Sequence, residues 1–123
     1  MTVRLLLVDD IPAIRRGLRF IIEKQTNWQV CGEAGNGKVA IELVQELHPD
    51  VILLDLSMPV MNGFDAAKQI KIIAPQTYII LFTLHDSPQL IEDARKFGIN
   101  HVLSKSGNSG SVVVSAIRSL LAA

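Results

Sequence analysis

Residues 51–54 read Val-Ile-Leu-Leu, and Asp55 follows them directly. The run is apolar without interruption, which is typical of a parallel strand covered by helices on both faces, because a strand with one face in water alternates apolar and polar residues. The first polar residue after the run marks the carboxyl end of the predicted strand. This stretch therefore favours an α/β fold over an antiparallel one.

Four more short apolar runs flank this stretch, and segments with apolar residues at helical spacing separate them. The first helical segment, for example, carries Ile14, Leu18 and Ile21 on one face. Five strands that alternate with five helices predict right-handed crossovers and a doubly wound parallel sheet. The predicted strands are Val3–Val8, Gln29–Cys31, Val51–Leu54, Tyr78–Phe82 and His101–Leu103.

Composition limits what the chain can be. Its 123 residues are 49% hydrophobic but only 5% aromatic, which predicts one domain over residues 1–123 with a largely aliphatic core. A formal net charge of zero argues against direct nucleic-acid binding, which needs basic surface. Cys31 is the single cysteine and suits a reducing compartment. The chain shows no apolar stretch near the roughly 20 residues that span a bilayer, and its apolar start is too short for a signal peptide. We therefore expect a cytoplasmic protein that does not bind membranes.

Polar residues stand at the ends of four predicted strands. Asp9 and Asp10 follow the first, Asp55 follows the third, Thr83 ends the fourth, and Lys105 follows the fifth. The carboxyl ends of parallel strands meet at one edge of the sheet, where ligands bind in such folds. The topology therefore predicts one shallow pocket that gathers three carboxylates, a hydroxyl and an ammonium group.

The chemistry of these groups indicates phosphoryl transfer. Clustered carboxylates repel one another and stay ionised together with a cation between them, and hard oxygen ligands with few protein donors suit Mg²⁺. An ionised aspartate such as Asp55 is a competent nucleophile. Phosphoryl transfer depends mainly on positioning and charge neutralisation, which Lys105 and a hydrogen bond from Thr83 would assist.

The motifs resemble the receiver domains of two-component response regulators. Matching segments are Leu-Leu-Val-Asp-Asp (6–10), Val-Ile-Leu-Leu-Asp-Leu-Ser-Met-Pro-Val-Met-Asn-Gly (51–63), Leu-Phe-Thr (81–83) and Leu-Ser-Lys (103–105). Two further segments resemble the LuxR/NarL-type subgroup, namely Asp-Asp-Ile-Pro-Ala-Ile-Arg-Arg-Gly-Leu (9–18) and Val-Cys-Gly-Glu-Ala-Gly-Asn-Gly (30–37). The resemblance implies a flavodoxin-like five-stranded parallel sheet in the order 2-1-3-4-5 with five helices.

The resemblance also implies a role for each site residue. Asp55 would accept a phosphoryl group from a sensor histidine kinase. Asp10 would bind Mg²⁺ directly, Asp9 through water, and the Ser57 backbone carbonyl would be a further ligand. The remaining two residues, Thr83 and Lys105, would bind the phosphoryl group and act as the switch.

The implied protein is a signalling switch that phosphorylates itself but turns over no external substrate. The subgroup implies transcription regulation, with DNA bound only through an output domain, and none follows Ala123 in this chain. Two departures from the family pattern stand at the last strand: Val102 replaces a common aromatic residue, and Ser106 replaces a common cis-proline.

Alternative interpretations remain for these motifs. Asp10 could simply cap the helix that begins at Pro12, and the whole domain could be a pseudo-receiver that only binds a protein partner. The segment 32–38 imitates a nucleotide-binding loop, but Val39 lacks the hydroxyl that such a loop needs to hold Mg²⁺. His85 could overlook the pocket and influence dephosphorylation, or be a plain surface histidine.

Two expectations concern the backbone and the surface. Gly63, in the turn after Asp55, is expected to supply unusual backbone angles. In the last helix, a predicted buried stripe of Val113, Ala116, Ile117 and Leu120 leaves Val112, Val114 and Leu121 as surplus apolar residues; Phe20 is surplus in the first helix. These could form a patch for a symmetric dimer through the first and last helices or for a docked output domain, or be scattered exposed residues of no significance.

Overall fold

The computed structural model describes residues 2–84, 86–106 and 110–122. Strands and helices alternate along the whole chain, as predicted. The strands are β1 (Arg4–Val8), β2 (Gln29–Ala34), β3 (Val51–Leu54), β4 (Tyr78–Thr83) and β5 (His101–Ser104). The helices are α1 (Pro12–Gln25), α2 (Gly37–Leu47), α3 (Gly63–Ile73), α4 (Pro88–Lys96) and α5 (Gly110–Ala122).

The strands form one parallel sheet in the order β2-β1-β3-β4-β5. In the register of the three central strands, Val8 lies beside Leu54 and Leu54 beside Leu81. The predicted sheet order is therefore confirmed. Three strands extend beyond their predicted ends, β2 to Ala34, β4 to Thr83 and β5 to Ser104.

The core consists of two apolar layers, one on each face of the sheet. Leu5 and Leu7 point into the layer that α1 and α5 cover, whereas Leu6 and Val8 point into the layer that α2, α3 and α4 cover. All four β3 residues are at most 2% exposed, which explains why residues 51–54 do not alternate. Burial of each such side chain contributes about 1.5–3 kcal/mol. None of the helices in the described ranges is long and apolar enough to cross a membrane.

Among α1 to α4, whose starts lie in the described ranges, side chains cap three helices at their first turn. Asn36, Asn62 and Ser87 each accept a hydrogen bond from the backbone N–H three residues later, which satisfies an otherwise unpaired helical donor. Helix α1 is different, because its N-cap residue is Ile11 and makes no side-chain cap. The interpretation of Asp10 as a helix cap is therefore wrong.

Helix α5 buries Val113 and Ile117 as predicted, and the other two residues of the predicted stripe, Ala116 and Leu120, pack partly buried against the same core. Gly110, Val113, Val114 and Ile117 are its buried residues, because positions three and four apart share one helical face. Val114 is only 2% exposed, so its assignment to a surplus surface patch is wrong. Outside that stripe, Val112 is 38% exposed, and Phe20 on α1 is 64% exposed.

Candidate functional site

Backbone hydrogen bonds continue the sheet just past the strand ends and place the site residues. The Asp9 N–H donates to the Ala34 carbonyl at 3.0 Å, and the Asp55 N–H donates to the Val8 carbonyl at 2.9 Å. At the other side, the Lys105 N–H donates to the Thr83 carbonyl at 2.7 Å. The polar residues are thus positioned by the sheet itself.

The three carboxylates converge at this edge, as predicted. One oxygen atom from each of Asp9, Asp10 and Asp55 lies within 4.8 Å of the others. Their surroundings differ, because Asp9 and Asp55 are 3% and 7% exposed whereas Asp10 is exposed. Two of the three acids are therefore shielded from water.

The Lys105 ammonium lies between the two buried acids. Its Nζ is 2.7 Å from Asp9 Oδ2 and 3.2 Å from Asp55 Oδ1. The same atom lies 5.8 Å from the centre of the Phe82 ring, a distance at which an aromatic face attracts a cation. Lys105 thus supplies the positive charge that the crowded acids require.

Both members of the Asp55–Lys105 pair have shifted pKa values. Burial raises the pKa of Asp55, and the negative charge of Asp9 adds to that rise, while Lys105 opposes it. Burial by itself lowers the pKa of Lys105, but the hydrogen bond to Asp9 and the charge of Asp55 outweigh it, so this pKa is raised overall. Lys105 therefore remains protonated beside Asp55.

A cleft of about 260 Å³ opens over these groups. Its lining includes every predicted site residue except Asp9, which is buried and accepts a hydrogen bond at Oδ1 from the Ile11 N–H at 2.9 Å. Thr83 is 2% exposed at the base of the cleft. The lining residues are Asp10, Ile11, Asp55, Ser57, Thr83, Leu84 and Lys105.

The turn after Asp55 requires Gly63 for a reason other than the predicted one. Among the described glycines only Gly98 has a positive φ, so the prediction of unusual angles at Gly63 is wrong. A Cβ at Gly63 would lie 2.4 Å from the Asp55 carbonyl oxygen. The Gly63 N–H donates a hydrogen bond to the Leu56 carbonyl at 2.8 Å. Gly63 therefore permits α3 to begin directly against the backbone that carries Asp55.

Arg15 belongs to the surroundings of the site, although no motif in the sequence indicates it. Its Nη1 donates to the Asp9 carbonyl at 2.5 Å, and its Nε donates to Glu33 Oε1 at 3.0 Å. The only sequence feature that could have indicated Arg15 is its position one helical turn after Ile11, on the side of α1 that faces the end of β1. That signal is weak, because a hydrogen bond to a backbone carbonyl leaves no pattern in a sequence.

The oxygen donors of the cluster fit Mg²⁺, which prefers carboxylate and carbonyl ligands and keeps several waters. The nucleotide-loop alternative receives no support, because the Gly37 N–H donates to the Met61 carbonyl at 3.2 Å and Lys38 is exposed. That turn packs on the β3–α3 loop. His85 lies outside the described residues, so its possible role stays a prediction.

Comparison with known proteins agrees with this architecture. Residues 5–117 match the response regulator receiver domain family. The chain is 42% identical over 106 residues to the transcriptional regulatory protein YdfI of Bacillus subtilis, covering 86% of this chain and 49% of YdfI. It is 37% identical over 101 residues to the nitrate/nitrite response regulator protein NarL of Escherichia coli, covering 82% of this chain and 47% of NarL. The chain spans about half the length of these two relatives.

A solved structure shows the same fold. A LuxR-family two-component response regulator from Aurantimonas sp. SI85-9A1 superimposes with a TM-score of 0.92 at 32% identity, over 99% of this chain and 86% of that one. The chain therefore belongs to the response regulator receiver domain family, whose common function is that of a phosphoryl-accepting switch in two-component signalling. Its similarity to NarL/LuxR-type regulators confirms the predicted subgroup.

Proposed function

We propose that Asp55 is the phosphoryl acceptor of this switch and that a sensor histidine kinase supplies the phosphoryl group. The observation that carries the proposal is the position of the Lys105 ammonium between Asp55 and Asp9, with Asp10 in the same cluster. A nucleophilic carboxylate, a fixed cation and a set of oxygen ligands are thus present in one cleft.

In the proposed step, an Asp55 carboxylate oxygen attacks the phosphorus atom of a phosphohistidine. The new O–P bond forms as the P–N bond breaks, and the electron pair of that bond leaves with the imidazole nitrogen. Lys105 pairs with one of the transferred oxygens, and the Thr83 hydroxyl hydrogen-bonds another. Fixed charges and donors of this kind supply most of the catalysis in phosphoryl transfer.

We propose that Asp9, Asp10, Asp55 and the Ser57 backbone carbonyl hold Mg²⁺, with Asp10 as a direct ligand and Asp9 acting through water. When bound, Mg²⁺ neutralises charge on the phosphoryl oxygens. The chemistry of the donor set supports this assignment, because the three carboxylates offer closely spaced hard oxygens. The pseudo-receiver alternative is disfavoured by the same observation, since a domain that only binds a protein partner has no need of three clustered carboxylates.

The phosphorylated domain would act as a switch and not as an enzyme that turns over an external substrate. We propose that residues 1–123 form one receiver domain in the cytoplasm and that the full protein regulates transcription, as the name of YdfI suggests. DNA would then be bound through an output domain, not through this one. Val102, at a half-buried β5 position, replaces the common aromatic residue of the switch.

We further propose that the domain forms a homodimer through α1 and α5. The two helices pack on the same face of the sheet, where the Gln25 Nε2 donates to Ser111 Oγ at 2.9 Å. Phe20, Val112 and Leu121 are exposed apolar residues on these two helices. The revised patch is smaller than the predicted one, because Val114 belongs to the core.

The phosphoryl-acceptor assignment is tested by incubating the chain with acetyl phosphate, with and without Mg²⁺, and measuring its intact mass. The expected result is a Mg²⁺-dependent gain of one phosphoryl group that survives acid and is lost in base, as an acyl phosphate requires. Asp55→Asn should gain none, and Asp65→Asn is the matched control that should behave as wild type. A wild-type protein that gains no phosphoryl group would contradict the proposal.

A further inference from the structure

We infer that Arg15 is a positioning residue of the acidic site, which fastens the peptide between Asp9 and Asp10 to the first turn of α1. This inference rests on the proposed role of the cluster in holding Mg²⁺. The first observation is that α1 begins without a side-chain cap, because its N-cap residue is Ile11, and that Asp10 just before it is exposed. The turn that carries both acids is therefore ordered by contacts other than a cap.

The contacts of Asp9 account for part of that order. Its N–H donates to the Ala34 carbonyl at 3.0 Å, and its two carboxylate oxygens accept from the Ile11 N–H and from Lys105. The Asp9 carbonyl remains, and it lies in the same rigid peptide plane as the Asp10 N–H. Arg15 Nη1 donates to this carbonyl at 2.5 Å. The direction in which the chain enters Asp10 is thus fixed by Arg15.

Arg15 is itself held in place from the neighbouring strand. Its Nε donates to Glu33 Oε1 at 3.0 Å, while Glu33 Oε2 accepts from Arg19 Nε and Nη2 at 2.9 and 2.8 Å. The Arg15 side chain is only 19% exposed. A guanidinium can serve two acceptors at once through its fixed fork of donors, which an ammonium cannot do in the same geometry. Glu33 of β2 is therefore linked through Arg15 to the Asp9–Asp10 peptide.

A positioning role and a simple charge effect predict opposite results. Arg15 places a positive charge against the backbone that joins two of the acids, so its removal should tighten cation binding if charge alone matters. If Arg15 positions Asp10, its removal should weaken cation binding, because a direct ligand loses its fixed direction. Loss of a residue that orients a metal ligand typically weakens metal affinity about tenfold or more.

The test is calorimetric titration of the whole chain with Mg²⁺ in the absence of a phosphodonor. Arg15→Gln should raise the dissociation constant about tenfold, and Arg15→Lys should give an intermediate value because it keeps the charge and one of the two contacts. Arg16→Gln is the matched control, since Arg16 is an exposed neighbour of equal charge, and it should leave the affinity unchanged or slightly tighter. If Arg15→Gln does not fold, Arg15→Lys alone decides.

A second measurement separates this inference from the proposed function. With acetyl phosphate, Arg15→Gln should need more Mg²⁺ for half-maximal phosphorylation but approach the wild-type rate at saturating Mg²⁺. If Arg15→Gln binds Mg²⁺ as tightly as wild type, the inference about Arg15 is wrong. The proposed function still stands in that case, provided that the wild-type protein is phosphorylated. A wild type that binds no Mg²⁺ overturns both.

Discussion

Asp9 and Asp10 are adjacent in the sequence but stand in opposite environments. Asp9 is 3% exposed and bonded to Lys105 and to the Ile11 N–H, whereas Asp10 is exposed. The sequence predicted that both belong to the site, because both follow a strand that ends at the binding edge. It could not separate them, since burial at a strand end depends on how the next helix leaves the sheet.

This difference predicts that the two acids contribute unequally to stability. Asp9→Ala leaves Lys105 with one acid and the Ile11 N–H without its acceptor, so we expect a loss of about 1–3 kcal/mol in the free energy of unfolding without Mg²⁺. Asp10→Ala relieves repulsion between carboxylates, so we expect a change within about 0.5 kcal/mol or a small gain. Urea unfolding of both variants measures this, and equal losses would contradict it. Both variants should bind Mg²⁺ more weakly than wild type.

At the scale of elements, the β3–α3 loop combines a close contact with an unfavourable backbone conformation. Gly63 packs against the Asp55 carbonyl, while Val60, three residues earlier, has a φ of 69°. The left-handed conformation is unfavourable for β-branched residues, and Val60 is 77% exposed, so burial does not compensate. The sequence indicated a turn here but placed the special angles at Gly63, because glycine is the usual occupant of such a position.

Relief of this unfavourable conformation should stabilise the domain. We expect Val60→Asn to raise the free energy of unfolding by about 1 kcal/mol, because asparagine tolerates the left-handed region far better than valine. Val60→Thr is the matched control, since it is polar but still β-branched, and it should show little or no gain. Thermal or urea unfolding without Mg²⁺ provides the comparison. Equal stability of the Asn and Thr variants would refute the backbone explanation.

The ion pairs that join Glu33 of β2 to Arg15 and Arg19 of α1 should make the free energy of unfolding depend on pH. Burial raises the pKa of Glu33, but its hydrogen bonds to Arg19 and then Arg15 outweigh burial, so the pKa is lowered overall from 4.5. A carboxyl whose pKa is lower in the folded state stabilises it above the unfolded pKa, and that contribution disappears as the pH falls through the folded pKa.

We therefore expect the stability difference between wild type and Glu33→Gln to be constant near neutral pH and to shrink below about pH 4.5. Denaturant unfolding of both proteins from pH 7 to pH 3 measures it. Glu23→Gln is the control, since Glu23 pairs with Arg19 on the exposed side of α1 and should show a smaller effect. If the stability difference between wild type and Glu33→Gln instead grew as the pH fell, the pKa of Glu33 would not be lowered by folding.

At the scale of the whole molecule, the order and type of the elements were predictable because each apolar run and helical stripe must be buried on a two-sided sheet. The strand ends then placed Asp9, Asp10, Asp55, Thr83 and Lys105 at one edge. The buried stripe of α5 was harder, because nearly every apolar position in residues 112–121 could have faced the sheet. Gly110 lies on the buried face with Val113 and Val114, where α5 packs closely on α1: a Cβ there would lie 2.5 Å from Ile21 Cδ1.

The exposed residues of α1 and α5 lead to a prediction about assembly. If these helices form the proposed dimer interface, Phe20→Glu/Val112→Glu should remain monomeric by light scattering after treatment with acetyl phosphate and Mg²⁺, while wild type dimerises. Ile72→Glu is the control, because Ile72 is 75% exposed on α3, which covers the opposite face. Equal masses for wild type and the double variant under every condition would exclude this interface.

The most direct test of the central claim is to locate the phosphoryl group in the chain. The protein is phosphorylated with acetyl phosphate and Mg²⁺, the acyl phosphate is reduced with borohydride to a stable homoserine, and peptides are sequenced by mass spectrometry. We expect homoserine at position 55, and none there when Mg²⁺ is omitted. Homoserine at Asp9 or Asp10, or at no position, would contradict the central claim.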